Sequence, residues 1–399
     1  MGVRRGAEVL AVAVLGLAAC GRPDGSPSTL PSVRDSAGVR IAENPADPPA
    51  VWRIGPAPQI EIGGSEAEDQ ILFRVAGALR LSDGRIVVAD GSNRLRYYRP
   101  DGSLDRVAGR TGEGPGEFRR ISWIGLLPGD SAIVFDLAQW RLSIFDPAGE
   151  FVRSFRAGAG DTVRFVQVAG RFGDGSFLGQ GPVNTGGRIP QGLERHDIPL
   201  YRLGPDGSVL DALGEFPGNE LYFEPVAGGG FSFYRPFFPR SASFVASGTY
   251  LYVGTGDLYE IRQLDLRGKL LRLIRRLREP VQVTEQDIRR EREERLATES
   301  GAARQAVARA LDAMPKPEVF PAYGLIRAGE DGGIWVQDYP ARPAAEIAWA
   351  VFDSTGALRA EVKLPRRFDP QDIGRDFVLG VWRDEDGVEY VRLYRLFRP

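Results

Sequence analysis

The chain has very little of the side chain that most hydrolytic and metal-dependent sites require. Its 399 residues include one histidine, His196. Nucleophilic triads and most zinc sites need histidine beside a second specific group, so the sequence argues against serine-hydrolase, metalloprotease and cupin-like functions. The segment Arg195-His196-Asp197 is polar, which predicts a surface position for this histidine.

Cysteine is equally scarce. Cys20 is the only one, which excludes an intramolecular disulfide. Long apolar runs are also missing, because the run at residues 9–17 is about half of the roughly 20 residues that a membrane-spanning helix needs. This run follows Arg4 and Arg5, and the small residues Ala18 and Ala19 directly precede Cys20. A basic start, an apolar run and small residues are typical of an export signal.

This N-terminal pattern resembles a bacterial lipoprotein signal, in which cleavage before the cysteine is coupled to its lipidation. The resemblance implies a signal peptide at residues 1–19, a lipid on Cys20 and a flexible tether at 20–37, where Gly, Pro and Ser are frequent. Because Gly21 and Arg22, rather than Asp, follow the cysteine, the resemblance also implies an outer membrane location facing the periplasm if the cell has two membranes. The alternative is a protein without an anchor whose apolar start arose by chance.

Charge of one sign is not in excess. The chain has 51 Lys and Arg against 53 Asp and Glu, for a formal net charge of −2. This balance excludes the basic surface of a nucleic-acid-binding protein. Hydrophobic residues make up 43% of the chain, as in an ordinary folded domain, and 50 glycines with 29 prolines predict many turns.

A unit of strand, turn and strand recurs along the chain. In the first copy, residues 84–90 and 94–98 are strands joined by Gly91-Ser92-Asn93, and an Asp-Gly turn at 101–102 starts a further strand. Five later segments repeat this order, at 130–149, 174–207, 248–268, 331–356 and 378–396. Repeats of about four short strands are typical of β-propeller blades.

The sixth unit ends before an outer strand. Short strands predicted at 38–41, 52–54 and 59–62 have no partner nearby and can supply it, which removes an open sheet edge. The sequence therefore predicts an all-β, six-bladed β-propeller over 38–399, closed by N-terminal strands.

The loop at 112–118 reads Gly-Glu-Gly-Pro-Gly-Glu-Phe. With the strand at 84–90, Asn93-Arg94-Leu95 and the Asp-Gly turn, it resembles NHL-repeat and related six-bladed propellers. The loop lacks the Lys-Ser/Thr of a phosphate-binding P-loop, so we interpret it as a turn between blades.

One segment, 280–316, differs from the blades and predicts a short helical insertion between blades four and five. Thr284 to Asp287 has the pattern of a capped helix start, and Val307, Leu311 and Met314 fall on one helical face. Ser300-Gly301 predicts a break into two helices. The insertion is either a packed flap or an arm that binds a partner.

Aspartate ends the central strand in three units, at Asp90, Asp136 and Asp338. Equivalent positions of a propeller project to one face, so these carboxylates are candidate ligands at the channel mouth for a hard cation such as calcium. The alternative is that each accepts hydrogen bonds from its own turn, as aspartate often does.

Aromatic residues are densest around the glycine run 228–230. A ligand-binding surface and ordinary core packing both explain this density. The candidate surface residues are Tyr222, Phe223, Phe231, Phe233 and Tyr234.

These features favour a cell-envelope lipoprotein whose propeller binds or scaffolds a protein, peptide or glycan without catalysis and without a cofactor. The alternative is a calcium-dependent enzyme of the lactonase or lyase kind, because some related propellers hydrolyse lactones with calcium at the channel mouth.

Overall fold

The computed structural model describes residues 32–64, 71–158, 165–183, 188–226 and 228–399. Cys20, the expected signal peptide and all but the end of the expected tether lie outside these residues. Within the described ranges, no helix is long and apolar enough to cross a membrane.

Four short strands begin the described chain: β1 (Ser32–Ser36), β2 (Val39–Asn44), β3 (Val51–Ile54) and β4 (Ile60–Ile62). β1 and β2 form an antiparallel hairpin, and its turn residues Ala37 and Gly38 both have positive φ. The other pairing partners of β2, β3 and β4 lie far along the chain.

Two four-stranded antiparallel sheets follow. The first contains β5 (Gly77–Arg80), β6 (Ile86–Asp90), β7 (Arg94–Tyr98) and β8 (Leu104–Ala108). After the small parallel pair of β9 (Arg110–Thr111) and β10 (Glu117–Phe118), the second contains β11 (Ile121–Leu126), β12 (Ala132–Asp136), β13 (Arg141–Phe145) and β14 (Phe151–Arg156). β6 and β12 are buried along their whole length; their first four residues are apolar on both faces, and each strand ends in a buried aspartate.

The third sheet has an extended outer hairpin. Its strands are β15 (Gln167–Arg171), β16 (Phe177–Gln180), β17 (Gly192–Leu203), β18 (Val209–Pro225) and β19 (Phe231–Tyr234). β16 pairs with only the last four residues of β17, so residues 192–199 project beyond it, paired with β18 alone. The fourth sheet contains β20 (Ser243–Ser247), β21 (Tyr250–Gly254), β22 (Glu260–Leu264) and β23 (Leu270–Arg276).

The helical insertion follows the fourth sheet, as the sequence predicts. Helix α1 (Glu285–Ala297) starts with a capping box, in which the Thr284 hydroxyl accepts from the Asp287 amide and the Asp287 carboxylate accepts from the Thr284 amide. Helix α2 (Gly301–Ala313) begins at the predicted break. Leu311 and Met314 are buried against aromatic residues of the loop after β19, so the helices are packed onto the sheets.

The remaining strands form two antiparallel sheets joined by the N-terminal segment. The fifth contains β24 (Ile326–Ala328), β25 (Ile334–Gln337), β26 (Glu346–Phe352) and β27 (Leu358–Pro365), and the sixth contains β28 (Phe368–Ile373), β29 (Phe377–Arg383) and β30 (Glu389–Phe397). β3 lies between β27 and the end of β30, and β4 pairs with the middle of β30. β2, by contrast, pairs in parallel with β23 of the fourth sheet.

The first strands of the six sheets contact one another in chain order. β5 contacts β11, β11 contacts β15, β15 contacts β20, β20 contacts β24, β24 contacts β28, and β28 contacts β5. Apolar cores fill the spaces between neighbouring sheets, and Ala78 and Ile86 of the first sheet pack with Leu379 and Val391 of the sixth. The fold is therefore propeller-like and mostly β, with the sheets curled into a nearly closed arrangement.

Candidate functional site

Asp90 and Asp136, two of the candidate channel-mouth ligands, are fully buried. Both carboxylates accept hydrogen bonds from neighbouring protein groups. Asp90 accepts from the amides of Phe73 and Ser92 and forms a buried ion pair with Arg96. Asp136 accepts from the amides of Arg119, Ala138 and Gln139, at 2.6, 2.9 and 3.0 Å, and from the Gln139 side chain. Both carboxylates thus stabilise the turns that follow their strands.

Asp338, the third candidate, has different surroundings. Its carboxylate forms ion pairs with Arg278 and, at 3.5 Å, with Arg276, whose side chain is fully buried. Arg276 also pairs with Glu361 at 3.2 Å. Burial raises the pKa of Asp338 above its usual range, although the two guanidinium groups oppose this shift.

The described residues contain no group of three or more His, Cys, Asp or Glu side chains with the arrangement of a metal site. Asp90, Asp136 and Asp338 therefore do not meet as one cluster, although Asp90 and Asp136 end the second strands of their sheets and Asp338 directly follows the second strand of its own. The hydrogen bonds of Asp90 and Asp136 fit the alternative in which each aspartate serves its own turn. Asp338 does not follow this pattern, because its carboxylate pairs with Arg276 and Arg278.

The aromatic residues expected to form one surface lie on two faces of the β18–β19 hairpin. Tyr222 is opposite Tyr234, and both pack against the helical insertion. Phe223 is opposite Phe233 on the other face, where Phe231 also lies, since side chains alternate along a strand. The five residues are thus divided between a core and an exposed surface.

The exposed part is an aromatic edge formed by Phe231 and Phe233 of β19. These side chains are 43% and 62% exposed, whereas Phe223 beneath them is 5% exposed. The ring centroids of Phe231 and Phe233 lie 5.4 and 6.4 Å from that of Phe223. His196 contacts the Phe223 ring at 5.5 Å and is half-buried, so the predicted surface position for this histidine is only partly correct.

An ion pair fixes the start of β17, which pairs with β18 on the side away from β19. Both guanidinium nitrogens of Arg188 bond the Glu194 carboxylate, at 2.8 and 2.6 Å. These bonds, followed by one from the Gln191 amide, lower the pKa of Glu194 to about 2. Glu194 also lies 3.2 Å from the His196 ring nitrogen Nε2.

An open pocket of about 840 Å³ lies beside the turn after β12. Its walls combine aromatic rings, guanidinium groups and amides, and no single sequence motif marks it. The lining residues central to its chemistry are Glu113, Arg119, Gln139, Trp140, Arg141, Arg156 and Phe165.

The glycine-rich loop at 112–118 forms one side of this region and is a turn, as predicted. The Glu117 carboxylate accepts from the Gly114 amide at 2.8 Å, and Arg141 donates to the carbonyl oxygens of Glu113, Gly114 and Glu117. The Gly114 amide that a phosphate cradle would use is therefore already bonded within the loop.

A smaller pocket of about 240 Å³ lies at the base of the helical insertion. Tyr259, Arg278, Phe320, Asp338 and Tyr339 are among its walls. The Tyr259 hydroxyl lies beside Arg276, and burial raises the pKa of this tyrosine. Sequence reasoning singled out only Asp338 here, because the other walls come from segments that meet only in the folded chain.

No family model matches the chain, and no curated protein matches its sequence. Among solved structures, a member of the DUF4221 family from Bacteroides vulgatus is similar with a TM-score of 0.46 and 9% identity, over 88% of this chain and 99% of that one. Virginiamycin B lyase from Staphylococcus aureus has a TM-score of 0.40 and 10% identity, over 85% and 98%. Regucalcin, a calcium-binding protein from Agrobacterium tumefaciens, has a TM-score of 0.40 and 10% identity, over 87% and 96%. These TM-scores are below 0.5, so the similarities carry no argument about the function of this chain.

Proposed function

We propose that this chain is a non-catalytic binding module of the cell envelope, anchored by a lipid on Cys20, whose aromatic edge at β19 docks an extended segment of a partner protein. The observation that carries the proposal is the position of Phe231 and Phe233, two exposed phenylalanines on the outermost strand of a sheet.

The side chains favour a protein partner at this surface. Exposed aromatic residues beside one another, over a buried third ring, are typical of interaction surfaces. On β17, the His196 ring lies 5.5 Å from the Phe223 ring and 3.2 Å from Glu194, which pairs with Arg188, so polar side chains border the aromatic cluster at Phe223. An apolar centre with a polar rim is the usual arrangement of a protein interface.

The backbone favours an extended partner. In the described part of the chain, β19 pairs only with β18, so its other edge presents backbone N–H and C=O groups. A peptide that adds a strand to such an edge gains backbone hydrogen bonds, and alternate side chains select its sequence. Phe231 and Phe233 are alternate residues on one face, as this mode of recognition requires.

In this proposal, a closed six-bladed propeller over 38–399 is the scaffold that carries β19. It is supported by the contacts between the first strands of the sheets and by β4, which pairs with β30 as the outer strand of the sixth sheet. Deleting residues 32–64 should destabilise the whole chain, because β30 would lose this neighbour. A deletion variant that melts at the temperature of the intact chain would contradict closure.

The lipid anchor is tested separately with Cys20→Ser. We expect the variant to stay uncleaved or to leave the membrane fraction, because the cysteine would be the attachment site. Membrane retention equal to that of the unchanged chain would contradict the anchor without affecting the proposal for β19.

The docking proposal is tested by replacing Phe231 and Phe233 with serine together. A matched control replaces Val107 and Val152, which are also exposed on outer strands, with serine. Tagged full chains are purified from cell envelopes under mild conditions. We expect the phenylalanine variant to lose a partner that the control retains, with both melting like the unchanged chain. Equal retention by both variants would contradict the proposal.

A further inference from the structure

We propose that the open pocket beside Trp140 is a second binding site, which takes an acidic saccharide. The pocket lies in the second sheet and in the loops around it, whereas the aromatic edge belongs to the third sheet. This inference does not rest on docking at β19, so either proposal can fail while the other stands.

The backbone at Trp140 is the first observation. Trp140 directly precedes Arg141 at the start of β13 and has a φ of 53°. In the first sheet the equivalent residue is Asn93, directly before Arg94 at the start of β7, with a φ of 60°. Asparagine tolerates this left-handed conformation well, whereas a bulky aromatic residue there is strained. Strain of this kind is concentrated at functional sites.

The second aromatic wall shows the same feature. Phe165 has a φ of 65° and is 58% exposed. Its ring lies 5.3 Å from that of Trp140, at an interplanar angle of 68°. Two bulky side chains in left-handed conformations thus meet at one pocket and present aromatic surface to solvent.

The charges of the pocket are unbalanced. Arg141 and Arg156 are direct cross-strand partners on β13 and β14, so their side chains share a face. Like charges at opposed positions are unfavourable unless an anion lies near them. Arg156 forms no ion pair in the described ranges, and Arg141 bonds neutral backbone carbonyl oxygens. Arg119 is the third guanidinium, and it pairs with Glu113, the only carboxylate among the lining residues that the structure describes.

The ligand class follows from these groups. A guanidinium binds a carboxylate through two parallel hydrogen bonds, and the free Arg156 is placed for this role. The C–H face of a sugar ring packs on an aromatic side chain, as Trp140 and Phe165 provide. The side-chain nitrogen of Gln139 already donates to protein oxygens, so its side-chain oxygen is the group that adds an acceptor at the same wall. A few polar groups among aromatic walls are typical of ligand sites.

Binding is measured by titration calorimetry on the full chain in a mild detergent. The probes are trigalacturonate and a hyaluronan tetrasaccharide, which carry different uronic acids. Methyl-esterified trigalacturonate is the control that has the same sugar rings without the negative charges. AMP is the control for a negatively charged ring compound that is not an acidic saccharide. We expect at least one uronate probe to bind about tenfold or more tightly than the ester and than AMP.

Two variants and a matched control test the assignment of residues. Arg156→Gln and Trp140→Asn should each weaken uronate binding about tenfold or more, whereas Arg153→Gln, an exposed arginine on the same strand, should change it less than about twofold. Trp140→Asn installs the residue of the first sheet but removes the packing of Trp140 on Phe135. The melting temperature of each variant is therefore measured beside its affinity, and binding is compared at a temperature where every variant is folded, which separates lost binding from unfolding.

Several results would overturn the proposal. These are no binding of either uronate probe, equal binding of acid and ester, tighter binding of AMP, or unchanged binding by both variants.

Discussion

The side-chain amide of Asn44 donates a hydrogen bond to the carbonyl oxygen of Gly356, at 3.0 Å and 312 positions away in the chain. The same amide donates to the carbonyl oxygen of Arg275 at 3.0 Å, and its oxygen accepts from the Leu358 amide at 2.7 Å. Asn44 is fully buried. One N-terminal side chain thus links β2 to the fourth and fifth sheets.

Asn44→Ala should lower the free energy of unfolding by about 2 kcal/mol, because three backbone groups, two of them at buried sites and one at a partly buried site, would lose their partner. Urea unfolding of the two chains measures the difference. Asn219→Ala is the control, since its side-chain oxygen accepts one bond, from the Ala242 amide at an exposed site. Equal losses in both variants would show that the Asn44 contacts contribute nothing specific.

Arg96→Met should destabilise the chain by about 3–5 kcal/mol, because it leaves the Asp90 carboxylate buried without its ion-pair partner. The double variant, Arg96→Met with Asp90→Leu, should lose much less free energy of unfolding than the sum of the losses in the two single variants. A double-mutant cycle measures this difference. Additive losses would mean that the two side chains do not stabilise each other.

Calcium should leave the melting temperature unchanged within about 1 °C. The oxygens of Asp90 and Asp136 already accept hydrogen bonds from their own turns, and a calcium ion would have to displace these donors. Thermal unfolding in calcium and in chelator makes the comparison. A saturable rise of more than about 3 °C would contradict this expectation and favour the calcium-dependent lactonase-like alternative.

Glu194 should titrate near pH 2, well below the usual range of glutamate. Because its pKa is lowered in the folded chain, its contribution to stability is fully present above about pH 4.5 and is lost as the pH falls toward 2. Carboxyl ¹³C shifts from glutamate-labelled protein, assigned with Glu194→Gln, report the titration.

Arg188→Ala tests whether Arg188 causes the lowered pKa of Glu194. Removing the guanidinium should raise the pKa of Glu194 toward its ordinary value, since the bonds from Arg188 are the main source of the shift. A pKa of Glu194 that stays near 2 in this variant would assign the shift to the Gln191 amide instead.

Much of the fold was predictable from local patterns. The burial of β6 and β12 followed from their apolar sequences, and the Thr284 cap and the break at Ser300-Gly301 marked both helices. The pairing of β2 with β23 was not predictable, because a short strand of alternating pattern carries no signal for its distant partner.

The candidate sites were less predictable, for identifiable physical reasons. The division of Tyr222 and Tyr234 from Phe231 and Phe233 depends on which face of the β18–β19 hairpin the insertion covers. The opposition of Arg141 and Arg156 depends on a register that contains an irregularity between Ile144 and Phe145. Spacing along the chain does not specify either feature.

Photo-cross-linking from position 233 tests the docking of a partner at β19 most directly. A photoreactive residue replaces Phe233 in the full chain, and a second chain carries it at Val152, which is 55% exposed on β14. After irradiation of intact cell envelopes, we expect one discrete protein adduct from position 233, joined through a single extended segment of the partner, and no such adduct from position 152. The same adduct from both positions, or none from position 233, would contradict docking at this edge.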